Sequence, residues 1–461
     1  MNTASQKLLI LGAGESGIGA ALLGKAQGWD VFVSDGGTLS PAYRQELESA
    51  EIHFEEGGHS ETRLTWGNLV VKSPGIGESA PAVQAIRSAG IPLISEIEFA
   101  YRYKGAGKII AITGSNGKST TTKLVYHLLK TAGYSVSLTG NIGISLARQI
   151  ATAPTDWYAV EISSFQLDDI QTFKPHIAAL LNITPDHLDR YNHDLVQYAA
   201  AKMRIFENQD ADDIAILNPE DGVVHTAAIG KPMQGTLQSF SLGPQENASA
   251  WLDSEALHFR MTAGEEITVT LLEYSLAGSH NAANALAAGL CTLAAGISEE
   301  ALRTGLQNFE GLEHRLESAG TIEGVQFIND SKATNVDAVW YALESLRSPA
   351  VLILGGVDKG NDYSLIEKLV QEKVKAIVCM GTDNAPIQKA FAHLGIPMEE
   401  AGSATEAVKV AFAQASAGDV VLLSPACASF DLFKNYEDRG RQFKTAVQAL
   451  ASSLLTPAFK N

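Results

Sequence analysis

Ile109-Ile110-Ala111-Ile112-Thr113-Gly114-Ser115-Asn116-Gly117-Lys118-Ser119-Thr120-Thr121-Thr122 runs from an apolar strand through a Gly-Lys-Ser turn into a helix. That order points to a nucleoside triphosphate cradle in an α/β sheet. Small residues let successive backbone N–H groups face the phosphates at a helix N-terminus, Lys118 can reach the outer phosphates, and the Ser119 hydroxyl can ligate Mg²⁺. The spacing is shorter than the usual phosphate loop, with Ser115 and Asn116 alone between Gly114 and Gly117 and Ile112 at the position of the first glycine. An ordinary glycine-rich strand-to-helix turn is the plainer reading, against which Lys118 and Ser119 both fall in register.

Upstream, Lys7-Leu8-Leu9-Ile10-Leu11 leads through Gly12-Ala13-Gly14-Glu15-Ser16-Gly17 and a helix to Val31-Phe32-Val33-Ser34-Asp35. This is a strand-turn-helix-strand unit of the dinucleotide-binding type. The glycines and Asp35 also fit an NAD fingerprint, so an oxidoreductase is one reading, although the same geometry holds any diphosphate linked to a nucleoside. A further strand, Leu69-Val70-Val71, ends in Lys72-Ser73-Pro74-Gly75-Ile76, and Lys104-Gly105-Ala106-Gly107-Lys108 reads as a linker. Downstream, the strands Trp157-Tyr158-Ala159-Val160-Glu161 and Ala178-Ala179-Leu180-Leu181-Asn182 end in polar residues at the ligand edge of a parallel sheet. Residues 236–275 predict short antiparallel strands, and Gly278-Ser279-His280-Asn281 opens an alanine-rich helix. A third unit begins near 313, with strands at 325–329, 351–355, 376–380 and 420–423. The fold expected is α/β in three domains: Rossmann-like over 1–106, central P-loop ATPase-type over 107–312, and Rossmann-like over 313–461.

Composition narrows the function. The 461 residues are 45% hydrophobic and 19% charged, as in a globular protein. No segment approaches the ~20 apolar residues of a membrane span, and the first ten residues lack the layout of a signal peptide, so a cytoplasmic protein is expected. Cys291, Cys379 and Cys427 lie far apart and form neither a disulfide framework nor a zinc cluster. A net charge of −18 argues against broad nucleic-acid binding, so any anionic ligand must be met by local cations and backbone N–H groups.

Glu161 ends its strand about forty residues after the phosphate loop, where NTPases place a carboxylate for Mg²⁺; an exposed strand-end acid fits the same position. Asn182-Ile183-Thr184-Pro185-Asp186-His187-Leu188-Asp189 offers an acid and an imidazole at the next strand end. In the helix that Asp194 and Gln197 can cap, Leu195, Tyr198, Ala199, Lys202, Ile205 and Phe206 share one face. Lys202 therefore lies within an apolar stripe. Burial favours its neutral amine, which can take up CO₂ as a carbamate, while a snorkelling lysine is the ordinary alternative. In the third domain, Asn329-Asp330-Ser331-Lys332-Ala333-Thr334-Asn335, Gly355-Gly356-Val357-Asp358-Lys359-Gly360 and Ser424-Pro425-Ala426-Cys427-Ala428-Ser429-Phe430-Asp431 put three polar loops at strand ends, which suggests a binding edge.

Taken with Thr139-Gly140-Asn141-Ile142-Gly143, Glu161-Ile162-Ser163-Ser164-Phe165-Gln166-Leu167, Asp186-His187-Leu188-Asp189-Arg190-Tyr191, Ala201-Lys202, His280-Asn281 and His314-Arg315, these segments form an ordered set spanning all three domains. The set resembles the Mur ligases, the ATP-dependent amide-forming enzymes of peptidoglycan synthesis, and among them the branch that adds D-glutamate to UDP-N-acetylmuramoyl-L-alanine. The short phosphate loop is that family's own form. The resemblance implies ATP binding by Gly114, Ser115, Asn116, Gly117, Lys118, Ser119 and Thr120, with Asn281, Arg315 and Asp330. It implies two Mg²⁺ ions, one held by Ser119 and Glu161, the other by His187 and a carbamate on Lys202. Gly14, Glu15, Ser16, Asp35, Ser73, Gly75, Asn141 and His187 would bind the UDP substrate. Lys332 would lie near the reacting groups, and Thr334, Lys359, Ser429 and Phe430 would surround D-glutamate. Because these contacts are split across domains and positioning supplies much of the rate, the third domain is predicted to close over ATP, and a monomer is expected.

Two departures stand out. The branch often carries an Arg shortly after the acid at Asp35, whereas Gly36 and Gly37 follow here; Phe430 and Tyr436 replace a common Leu and Phe. Sister ligases for a diamino acid are disfavoured by the lack of an Asp-Asn-Pro-Arg motif, and folate polyglutamate synthases by the presence of the leading nucleotide-sugar domain. An NAD-dependent oxidoreductase leaves the residues from Lys118 to Lys202 unexplained, and a non-catalytic ATP switch needs neither carboxylate nor amine.

Overall fold

The computed structural model describes residues 6–229, 233–260, 264–271, 274, 279–309 and 313–455, the side chains of Ser279 and Leu455 excepted. The first of its three sheets contains β1 (Lys7–Leu11), β2 (Asp30–Ser34), β3 (His53–Glu55), β4 (Leu69–Lys72) and β5 (Leu93–Ser95). All are parallel, in the order β3-β2-β1-β4-β5. The order reverses between β1 and β4, which opens a crevice at their carboxyl ends where doubly wound sheets bind ligands. Leu8, Leu9, Ile10 and Leu11 are fully buried, so β1 reads as an unbroken apolar run with both faces covered.

The second sheet contains β6 (Lys108–Thr113), β7 (Val136–Gly140), β8 (Trp157–Glu161), β9 (Ile177–Leu180), β10 (Ile214–Leu217), β11 (Thr236–Ser241), β12 (Ala250–Leu252), β13 (Ala256–Arg260) and β14 (Glu266–Thr270). Its order is β14-β13-β12-β11-β10-β9-β6-β8-β7. Because β6 lies between β8 and β9, the phosphate loop, Glu161 and Asn182 leave the sheet at one edge. Antiparallel pairing in the 236–275 segment is found in β12 to β14, but β11 runs parallel to both β10 and β12. A crossover through the helix Gly222–Ala228 joins β10 to β11, and such crossovers produce parallel neighbours. The alanine-rich helix spans Ser279–Ala294; Gly278 lies outside the described residues.

The third sheet contains β15 (Glu317–Ile322), β16 (Val325–Asn329), β17 (Ala350–Leu354), β18 (Val374–Met380), β19 (Met398–Ala401) and β20 (Val420–Leu423), in the order β15-β16-β20-β17-β18-β19. β15 is its antiparallel strand, joined to β16 by Glu323-Gly324, both at positive φ as a tight hairpin turn requires.

The three sheets give a three-domain α/β architecture. The described residues of 1–275 and 281–309 form one compact unit holding the first two sheets, and those of 276–280 and 310–461 form another around the third. Within the first unit, Glu98 joins the sheets by accepting from the backbone N–H groups of Gln171, Thr172 and Phe173 at 2.8–2.9 Å. The buried pair Lys72–Asp169, at 3.0 Å, adds a second tie. No helix among the described residues is long and apolar enough to cross a membrane.

Candidate active site

The helix Lys118–Thr131 begins at Gly117, which has φ 82° and no side-chain cap. A Cβ at Gly117 would lie 2.2 Å from Asn284 Oδ1, so glycine is required by backbone angle and by space. Ser115 N–H donates to Asn182 O at 3.0 Å and Asn116 N–H to Asn182 Oδ1 at 2.8 Å. Ser115 Oγ donates to Thr184 O and accepts from Thr184 N–H, both at 2.9 Å. These bonds engage the first two N–H groups of the loop in shaping it, which leaves the helix N-terminus beyond them with N–H groups able to face an anion. Asn284, which also accepts from Thr121 Oγ1, has no local motif to mark it; helix packing brings it to the loop.

Two lysines converge on one carbonyl. Lys118 Nζ donates to Gly114 O and Ser115 O at 2.8 Å, and Lys202 Nζ donates to the same Gly114 O at 2.7 Å. Lys202 is 1% exposed, and its Nζ lies 4.5 Å from the centre of the Tyr198 ring. Burial, and then the charge of Lys118, hold its pKa well below the ordinary lysine value, with Asp186 and Glu161 opposing. The stripe read from sequence is thus a buried face, not a snorkelling one. Asp194 caps the helix Leu195–Met203 through Val196 N–H, and Gln197 Nε2 donates to its side chain.

Glu161 is buried at the end of β8. Its Oε1 accepts from Asn141 Nδ2 at 2.8 Å, while Oε2 has no hydrogen-bond partner among the described residues. A buried carboxylate oxygen without a donor is costly, and a cation would satisfy it, so the donor set here fits Mg²⁺. Ser119 is buried in the first turn of the helix Lys118–Thr131, which follows the phosphate loop. His187 adopts φ 52°, is half exposed, and sets its ring edge-on to Phe165 with Nε2 3.6 Å from Asp186. Among the described residues no three His, Cys, Asp or Glu side chains group to hold a metal. A cation here would therefore draw other ligands from hydroxyl, phosphate or a modified side chain.

A cleft of about 690 Å³ opens at the carboxyl ends of β1, β2 and β4. Gly14, Glu15, Ser16, Asp35, Ser73, Gly75 and Asn141 line it, as does His59, which the sequence pattern does not single out; His187 is not among its walls. A Cβ at Gly12, φ 94°, would meet Ser73 Oγ at 2.7 Å. Glu15 is turned to Arg148 Nε at 2.7 Å and to Ser145 N–H at 3.0 Å; burial opposes its charge, but these donors prevail and lower its pKa. Asp35 accepts from Ala13 N–H at 2.5 Å and Gly37 N–H at 2.7 Å. Both acids brace the loops around the cleft.

In the second unit Asp330 is buried beyond β16. Burial pushes its pKa up to about 7 against a hydrogen bond from Ser424 Oγ at 2.8 Å and the charge of Arg315. Lys332 Nζ lies 5.3 Å from the Tyr436 ring centre. Thr334 is half-buried, Ser429 buried, and Lys359 and Phe430 exposed. Arg439, 1% exposed and unmarked in the sequence, donates to Ser331 O at 2.8 Å, Cys427 O at 3.2 Å and Gly355 O at 3.4 Å. It thereby ties together the three strand-end loops. In the first unit, Asn281 O accepts from the Tyr274 hydroxyl at 2.6 Å.

Comparison with known proteins agrees along the chain. A family model for a MurD-like N-terminal domain of Mur ligases matches residues 6–95, the Mur ligase middle domain matches 112–292, and the Mur ligase glutamate ligase domain matches 314–427. A UDP-N-acetylmuramoylalanine--D-glutamate ligase of Cytophaga hutchinsonii is 51% identical over 448 residues, covering 97% of this chain and 100% of the relative. A ligase of the same name from Bacteroides fragilis is 47% identical, covering 96% and 100%. Among solved structures, a pseudomurein peptide ligase type C of Methanothermus fervidus has a TM-score of 0.61 at 18% identity, covering 97% of this chain and 100% of that one. UDP-N-acetylmuramate-alanine ligase of Thermotoga maritima also gives 0.61, at 19% identity, covering 96% and 99%; at these identities the structures speak to fold. From the phosphate loop, the strand-end loops and these full-length matches, the chain belongs to the Mur ligase family.

Proposed function

We infer that this chain joins D-glutamate to UDP-N-acetylmuramoyl-L-alanine at the expense of ATP, in peptidoglycan precursor synthesis. Relatives bearing that name match it end to end, and the family is ATP-dependent and Mg²⁺-requiring. The observation that carries the chemistry is the convergence of Lys118 and buried Lys202 on Gly114 O, in the sheet edge that also holds the unpartnered Glu161 Oε2. A carboxylate is a poor electrophile. Its oxygen attacks the γ-phosphate of ATP, releasing ADP and giving an acyl phosphate; the amine of D-glutamate then attacks the acyl carbon, loses a proton and expels phosphate. Lys118 balances the anionic charge brought together in the first step.

Ser119 and Glu161 would hold one Mg²⁺, and His187 with a carbamate on Lys202 a second. When bound, these ions screen the phosphate and carboxylate charges from one another. The neutral amine of Lys202 adds to CO₂, forming an N–C bond and releasing a proton. Burial, with the Gly114 carbonyl as the acceptor of its hydrogen bond, supports this, since it favours the neutral form. The cleft at β1, β2 and β4 takes the UDP end, with Asn141 between it and Glu161. Asn281, Arg315 and Asp330 are assigned to ATP, and Lys332, Thr334, Lys359, Ser429 and Phe430 to the D-glutamate side. A cytoplasmic monomer divided at 106 and 312 completes the proposal.

Phosphate release from ATP and Mg²⁺ tests it, measured with the nucleotide substrate and D-glutamate, L-glutamate, a diamino acid or no amine. Release should require the nucleotide and D-glutamate together. Release without either, or with another amine, would point to an ATP switch or a sister ligase.

A further inference from the structure

His59 lines the nucleotide cleft beside Gly36, and nothing in the proposed chemistry uses it. Its place in the sheet is specific. β3, which leads into the 56–60 loop, is the edge strand next to β2, whose end carries Asp35. The glycine-rich turn follows β1, one strand further in, and it is the diphosphate end of such clefts. His59 therefore belongs to the opposite end, where the base lies. A Cβ built on Gly36 would sit 3.1 Å from His59 Nε2, so the glycine gives the imidazole its room.

The hydrogen-bond chain behind the ring fixes its tautomer. Ser34, fully buried, lies 2.7 Å from His59 Nδ1 and 2.7 Å from Glu55 Oε1. Burial opposes the Glu55 charge, but donors from Ser60 and Ser34 outweigh it and lower the pKa. An ionised Glu55 can only accept, so Ser34 donates to it and must accept from His59 Nδ1–H. With Nδ1–H donating to Ser34, the tautomer that pairs with a base N–H is the one with its lone pair on Nε2, which can then accept a hydrogen bond. Asp35, the other acceptor at this end, already receives Ala13 and Gly37 N–H groups.

We propose that His59 recognises the base of the nucleotide substrate, its Nε2 accepting a hydrogen bond from the imide N3–H of uracil, with Gly36 as the residue that admits the ring. Cytosine has a lone pair at N3 and would face Nε2 unfavourably, so the contact discriminates between pyrimidines as well as binding one. This rests on the assignment of the cleft to a UDP-linked substrate.

Binding of UDP and CDP to the full chain and to His59→Ala, His59→Gln and Gly36→Ala variants tests the proposal by calorimetry. Loss of one hydrogen bond predicts about tenfold weaker UDP binding in His59→Ala. The UDP preference over CDP should shrink with it, and His59→Gln, whose side-chain oxygen can take the Nε2 position, should recover most of both. Gly36→Ala should weaken UDP alone, and combining it with His59→Ala should add nothing further. Unchanged UDP affinity in His59→Ala, or equal loss of UDP and CDP without recovery in His59→Gln, would overturn the role of His59. Failure of the unaltered chain to bind UDP or UDP-N-acetylmuramoyl-L-alanine would instead overturn the cleft assignment beneath it.

Discussion

Lys202 combines full burial with a carbonyl as its acceptor, a combination costly for an ammonium and undemanding for an amine. If the amine becomes a carbamate, Lys202→Ala should lower turnover by at least about a hundredfold, a loss of roughly 3 kcal/mol in the barrier. Short carboxylic acids added to the variant should restore part of the rate; full activity in Lys202→Ala would refute the role. Gly117 makes a separate prediction. With φ at 82° and Asn284 Oδ1 2.2 Å from a built Cβ, Gly117→Ala must strain or displace the loop. A loss of about 1–3 kcal/mol in stability is expected, read from chemical denaturation, together with weaker ATP binding. Lys202 was legible in the sequence because an apolar stripe surrounds it, and Gly117 because the Gly-Lys-Ser turn names it. Asn284 and His59 were not: each acts through an approach of distant segments that no spacing encodes.

At the scale of elements, the final helix Tyr436–Leu455 does more than cover the third sheet. Its Arg439 joins three loops that come from β16, β17 and β20, and Arg439→Met would leave several buried carbonyls without donors. Stability should fall by about 3 kcal/mol. Arg439→Lys, keeping one donor group, should fold better yet show a raised KM for D-glutamate with a nearly unchanged KM for the nucleotide substrate. Equal changes in both constants would count against a positioning role. The helix Glu96–Tyr101 meets the helix Leu146–Thr152 through buried Glu96, whose Oε1 accepts from Ala147 N–H at 2.6 Å. Burial pushes the Glu96 pKa up to about 7. Folding thus favours the protonated form: its stabilising contribution is complete below about pH 4.5 and is lost as pH rises through 7, a swing of order 3 kcal/mol. Thermal melts from pH 4.5 to 8 should show Glu96→Gln gaining on the unaltered chain as pH rises; parallel curves would refute this. The central strands were legible because burial on both faces leaves uninterrupted apolar runs. β3, β5 and β19 were not, being short edge or near-edge strands, and the parallel pairing of β11 follows from a crossover that its own residues do not announce.

Across the whole molecule, chemistry is divided between two compact units. One holds the cleft at β1, β2 and β4, the phosphate loop, Glu161 and Lys202; the other holds Asp330, Lys332 and the loops tied by Arg439. The reaction class was readable from the order of motifs along the chain, since the phosphate loop, the acid at 161 and the strand-end loops occupy sheet edges and the lysine at 202 lies on a helix whose buried face reaches the phosphate loop. What the linear order could not convey is which polar groups are already engaged, such as Ser115 and Asn116 N–H or the carboxylates of Glu15 and Asp35. Carboxylate activation distinguishes an amide ligase from the oxidoreductase and ATP-switch readings of the same motifs. The most direct measurement supplies UDP-N-acetylmuramoyl-L-alanine with ¹⁸O in its alanyl carboxylate, together with ATP, Mg²⁺ and D-glutamate, and weighs the released phosphate. One labelled oxygen should pass to phosphate for each amide formed. Phosphate free of label, alongside amide product or ATP turnover, would contradict an acyl phosphate and with it the assigned chemistry of the site.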